Sequence, residues 1–143
     1  MKTKALNKAQ LYQITVIFSV LFALLGFSYN VWRMEVTEEN SNNRTACFEM
    51  LLELSSLEQL VYAAHYDKDT QEGNPRKGWV KVGLINDLSV LTTTSVENQA
   101  DKLKEIWAVN WDKMTDDQNS VDQIVKAIDS VREEIKLTLS SLE

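Results

Sequence analysis

The chain has 143 residues, and the roughly 110 that follow Trp32 are near the lower end of what buries a usable core unaided. Four glycines and one proline are too few for a turn-rich β fold, and 44% hydrophobic residues exclude a disordered tail. The formal charge of −6 is unevenly spread. Lys2, Lys4 and Lys8 open the chain, and beyond them 12 basic residues face 21 acidic ones, giving that part −9. A field of this sign repels phosphate backbones, so no nucleic-acid partner is expected, and it adds no attraction to anionic lipid.

The first predicted element runs from Ala9 to Trp32, 24 residues without a charge. About twenty residues of helix cross a hydrocarbon core, so the stretch has the length of a transmembrane anchor with the lipid bilayer as its partner. Tyr12 lies near one end and Tyr29 and Trp32 near the other, the depths that amphipathic rings prefer. The lysines precede the segment, and Glu35, Glu38 and Glu39 follow it. This bias predicts a single-pass protein of a bacterial inner membrane, with residues 1–8 as a short cytoplasmic tail and the C-terminal domain in the periplasm. Gly26-Phe27-Ser28 also fits a signal-peptide cleavage site, but the uncharged stretch is long for that purpose and bulky Tyr29 and Trp32 adjoin the site. The retained anchor is the favoured reading. Ser19 and Ala23, with Gln13 and Thr15, offer a small-residue face and hydrogen-bonding groups for a second membrane helix.

Residues 33–43 are polar and read as a juxtamembrane linker or a continuation of the anchor helix. From 44 to 143 the pattern predicts an all-α domain, an antiparallel bundle of three to four helices. A helix over Arg44–Asp67 carries Leu51, Leu54, Leu57, Val61 and Ala64 at steps of three and four, broadened by Phe48, Leu52 and Leu60. Asp69–Gly78, with two glycines and the only proline, reads as a loop. A second helix from Trp79 to about Leu91 would place Val80, Leu84, Leu88 and Leu91 on its packed face. Thr92–Ser95 reads as a break with a Thr94–Glu97 capping box, or as the middle of one long helix. Val96, Ala100, Leu103, Trp107 and Trp111 form the next stripe. A capping box at Thr115–Gln118 precedes the most regular pattern in the chain. There Val121, Ile124, Ile128, Val131, Ile135, Thr138 and Leu142 make a coiled-coil-like seam and a candidate association surface.

Catalytic parts are few. His65 is the single histidine and Cys47 the single cysteine. On one helix they lie roughly 27 Å apart, so they cannot form a couple within one chain. Cys47 reads as a small buried hydrophobe, though a thiol outside the cytoplasm can also pair between chains. Asp67–Gly73 has the flavour of a calcium loop, but Glu72 stands where the glycine belongs and Gly78 where the glutamate belongs. Glycine-rich phosphate cradles, nucleophile elbows and H-E-x-x-H are absent from the sequence. The expectation is a non-enzyme without metal or cofactor. Arg76, Lys77 and Trp79 at a bend, and Trp107 with Trp111, are the candidate partner-binding residues, although the two tryptophans on one helix also suit a core.

The layout resembles the front half of a bacterial four-helix-bundle sensor, in which a membrane helix leads into an outer helical domain. The main functional expectation is an accessory or scaffold subunit acting through contacts with another protein or a second copy of itself. The alternatives are a ligand-sensing domain working with a separate signalling partner, and a phage-type lysis or envelope factor.

Overall fold

The computed structural model describes residues 7–142. Lys2 and Lys4 lie outside that range. Four α-helices and no strand occur among the described residues. The chain divides into two compact units, Met1–Glu39 and Asn40–Glu143.

Helix α1 spans Lys8–Tyr62. It contains one glycine and no proline, so nothing in the sequence breaks the ladder of backbone hydrogen bonds. The polar residues 33–43 fall within the bounds of this helix. In the first unit the apolar side chains have no protein to cover them. Leu11, Ile14, Ile17, Phe18, Phe22, Leu25 and Phe27 are all exposed. This is the one helix among the described residues that is long and apolar enough to cross a membrane by length and composition. The hydroxyls of Thr15 and Ser19 donate to the carbonyls of Leu11 and Thr15, each at 2.9 Å, so both are satisfied within the helix.

In the second unit, the rest of α1 joins α2 (Pro75–Ser89), α3 (Thr94–Asn110) and α4 (Gln118–Ser141). Cross-links fix the directions. Arg44 donates to the Leu142 carbonyl at 2.9 Å, Arg132 pairs with Glu58 at 2.8 Å, and Tyr66 meets Gln118, so α1 and α4 run antiparallel. Lys81 pairs with Glu53 between α2 and α1, and Asn86 donates to Asp101 between α2 and α3. Thr93 meets Thr138 at 3.2 Å, and Asn110 meets Gln123 at 3.4 Å, at opposite ends of the α3–α4 pair. Neighbours alternate in direction, as short connections require.

One core runs through the unit. Cys47, Met50, Leu54, Leu57 and Val61 of α1 meet Val82 and Ile85 of α2, Val96, Leu103 and Trp107 of α3, and Ile124 to Ile135 of α4. Phe48 and Leu52 do not join it; both are exposed, because a face that includes them is wider than two flanking helices cover.

The connections differ in detail from the sequence pattern. The end of α1 loosens into a π-helical turn, Ala63–Asp67, closed by Lys68 in the left-handed region at φ 54°. Asp69 N–H reaches back to the Ala63 carbonyl at 3.0 Å, which satisfies an end carbonyl as in a Schellman closure. Gly73 is buried against this turn: a Cβ there would lie 2.5 Å from the Ala64 Cα. The loop then ends earlier than Gly78. Pro75 begins α2, because its missing N–H and fixed φ suit a first helical position, and the Asn74 side chain caps Arg76 N–H at 2.9 Å.

The break at residues 90–93 is real, but the cap of α3 is Thr93, whose hydroxyl accepts from Val96 N–H. Thr94 lies one residue inside the helix. At α4 the cap is Asp117, accepting from Asn119 and Ser120 N–H, in place of Thr115. In both cases an equivalent acceptor stands closer to the first turn that the packing selects.

The largest departure concerns α2. Its buried residues are Gly78, Val82, Ile85 and Ser89. Val80, Leu84 and Leu91 instead face solvent at 72%, 42% and 58% exposure, with Leu88 partly covered. Gly78 explains the rotation. A Cβ at this position would stand 2.2 Å from a Trp107 ring carbon, so the bare backbone is what admits the fully buried indole. Turning the leucine stripe inward would turn Gly78 away from Trp107.

Candidate functional site

The candidate partner residues separate into two groups. Trp107 is completely buried, and Trp111 is partly buried and packs against the core. The Trp107 indole N–H has no hydrogen-bond partner, the one such buried side-chain atom among the described residues. Trp79 covers the neighbouring indole edge-on at 6.4 Å and 87° and is 38% exposed.

Arg76 and Lys77 are exposed in the first turn of α2, not at a bend outside a helix. The N-terminus of a helix carries the positive end of its dipole, which disfavours cations. Lys77 is compensated by Glu72 at 3.2 Å. Arg76 makes no ion pair among the described residues. Beside it, Val80 and Leu84 continue along the outer side of α2, and Leu91 is exposed in the turn beyond its end. The structure thus gathers Arg76, Lys77, Trp79 and the leucine stripe on one helix. Sequence reasoning named all of them but assigned the stripe to the interior.

The seam on α4 has the opposite fate. Val121, Ile124, Ile128, Val131 and Ile135 are buried within the single chain, and Leu142 is half-buried. As placed, the buried side chains of the seam join the core of the single chain.

The chemically versatile side chains are engaged structurally. Cys47 is buried and free, its Sγ 3.4 Å from Asn43 Oδ1, and burial pushes the thiol above its ordinary pKa. It is closed to a partner's thiol. His65 Nδ1 lies 2.7 Å from the Met114 carbonyl, so this nitrogen carries the proton and donates. Lys68 adds a bond to the Thr115 carbonyl and an ion pair to Asp116 at 3.2 Å. Together they tie the end of α1 to the α3–α4 connection, around buried Met114, an anchor that the sequence pattern did not single out.

Asp69 accepts from Glu72 and Gln71 N–H, which holds its carboxyl below the usual range. Asp117 is lowered similarly by the Ser120 hydroxyl and by its capping bonds. Both acids serve turns. Among the described residues no cluster of three or more metal-ligating side chains occurs. Arg132 would lose affinity for its proton through burial, but the Glu58 carboxylate beside it reverses the direction.

Two grooves flank the core. One of about 380 Å³ lies between α1 and α2, with Lys77 and Lys81 on its wall. Another of about 290 Å³ lies between α3 and α4. Comparison with known proteins adds no identity: no family model matches the chain, and neither a curated protein nor a solved structure is similar to it.

Proposed function

We propose that the chain is a membrane-anchored helical interaction module, an accessory or scaffold subunit whose outer domain docks on another protein through the exposed side of α2. The uncovered apolar stretch of α1 supports the anchor, and the lysine bias supports a cytoplasmic N-terminus with the bundle on the periplasmic side of a bacterial inner membrane.

The observation that carries the docking reading is the second apolar face of α2. A helix on the surface of a small bundle normally presents polar side chains outward. Here Val80 and Leu84 turn apolar groups outward instead, at 72% and 42% exposure, and Leu91 is exposed just beyond the helix. Arg76, uncompensated at the positive end of the same helix, adds a chemical preference. A partner that brings a carboxylate to this end and an apolar stripe to the rest gains from both.

Photo-crosslinking in intact membranes tests this reading. A benzophenone side chain at position 84 should give one adduct of defined mass, and the same probe at outward-facing Leu137 on α4 should give none. An adduct of twice the chain's own mass identifies a second copy; any other sharp mass identifies a different subunit. Equal labelling at both positions, or none at position 84, rejects the α2 surface.

A further inference from the structure

Two grooves of similar size use their lysines differently. In the α1–α2 groove, Lys77 is paired with Glu72 and Lys81 with Glu53, each at 3.2 Å, so the positive charges are already neutralised. In the α3–α4 groove, Lys102 stands on one helix and Lys126 on the other, and neither makes an ion pair among the described residues. Two uncompensated cations on one groove are notable in a part of the chain that carries −9.

The floor between them is aliphatic, formed by half-buried Ile106 and buried Ala127. Gln99, Gln123 and Ser130 complete the polar rim. Gln123 takes one bond from inside the bundle. Buried Asn110 donates to its Oε1 at 3.4 Å while also donating to the Ile106 carbonyl at 2.8 Å. The Gln123 carbonyl is thereby occupied, and its NH2 group remains to donate outward. The rim therefore offers ammonium and amide N–H donors around an apolar base.

We propose that this groove binds a medium-chain alkyl carboxylate. The carboxylate would sit between Lys102 and Lys126 with the Gln123 amide donating to it, and the alkyl chain would lie on Ile106, Ala127 and the lysine methylenes. The volume sets the length. At about 290 Å³ the groove lies at the lower end of the range of small-ligand pockets, which suits a short chain. The two ammonium groups favour an anionic head, and the acidic surface around them disfavours ligands of high negative charge.

The site shares no residue with the α2 surface, so the two readings fail separately. The test is calorimetric titration of the full-length chain in lipid nanodiscs with hexanoate, octanoate and decanoate, with heats from empty nanodiscs subtracted. A saturable one-site heat is expected with at least one acid. It should weaken about tenfold or more in the Lys102→Gln/Lys126→Gln variant and persist in Leu84→Ser, while octan-1-ol should give no saturable heat. Both lysines are exposed, and unchanged far-ultraviolet circular dichroism will verify that the double variant keeps its fold. The proposal is overturned if none of the three acids saturates, if the double variant binds as tightly as the parent, or if the alcohol binds as well as the acid.

Discussion

α4 buries eight of its 24 residues, and six of the eight are Val, Ile or Ala. α2 buries four of its 15, and two of those are glycine and serine. α4 fills space with branched side chains along one unbroken stripe and turns its charges outward. α2 contributes mainly by yielding space: Gly78 lets the Trp107 indole reach the backbone, and larger apolar residues are left outside. A helix can thus be apolar on two sides, and the side that packs is decided by shape complementarity with its neighbour, not by which stripe is greasier.

That contrast can be broken at its strongest point first. Ile128→Ala on α4 removes a fully buried side chain, and large-to-small core changes of this kind cost about 2–5 kcal/mol. Urea unfolding of the full-length chain in detergent, followed by tryptophan fluorescence, should show the midpoint fall accordingly. Gly78→Ala comes next. It gains about 1 kcal/mol of helix propensity, but it drives a methyl into Trp107, and overpacking costs about 1–3 kcal/mol. The net change should be destabilising, and a rise in the midpoint would refute the close contact.

Acid sharpens the comparison at the helix ends. Asp117 has a folded-state pKa below its unfolded value, so its capping contribution is complete above the unfolded value of about 4 and is lost as pH falls through the folded one. Asp69 acts with the same sign. Stability should therefore decline on acidification from pH 6 to pH 3. Asp117→Asn, which keeps an acceptor but does not titrate, should lose less over that interval than the parent does.

The smallest effects fall on the outer side of α2. Gly83 has open space where a Cβ would go, so Gly83→Ala should stabilise by about 0.4–1 kcal/mol, opposite in sign to Gly78→Ala. Leu84→Ser should change stability by no more than about 0.5 kcal/mol, as surface substitutions do. A large loss at Leu84 would return the leucine stripe to the interior and remove the proposed docking surface.

The all-helical class, the apolar first segment and the α4 stripe were legible because each rests on one unopposed periodicity. Val96, Ala100, Leu103 and Trp107 were legible for the same reason. The orientation of α2 was not, since both of its sides are apolar and the deciding residue, Gly78, looked like a loop glycine beside Pro75. The caps were displaced by one or two residues because Thr93 and Thr94, or Thr115 and Asp117, offer equivalent acceptors. Only the lengths of the connections choose between them. The α3–α4 groove was invisible for a third reason: Lys102 and Lys126 lie 24 positions apart, and their meeting depends on the register between two helices, which no local pattern encodes.

The enclosed thiol of Cys47 has a practical corollary. Because the chain has no other cysteine and this one is fully covered, alkylation can proceed only when the bundle parts around the second half of α1. Maleimide uptake by the purified chain thus becomes a clock for breathing motions, and any molecule that holds the domain shut will slow it.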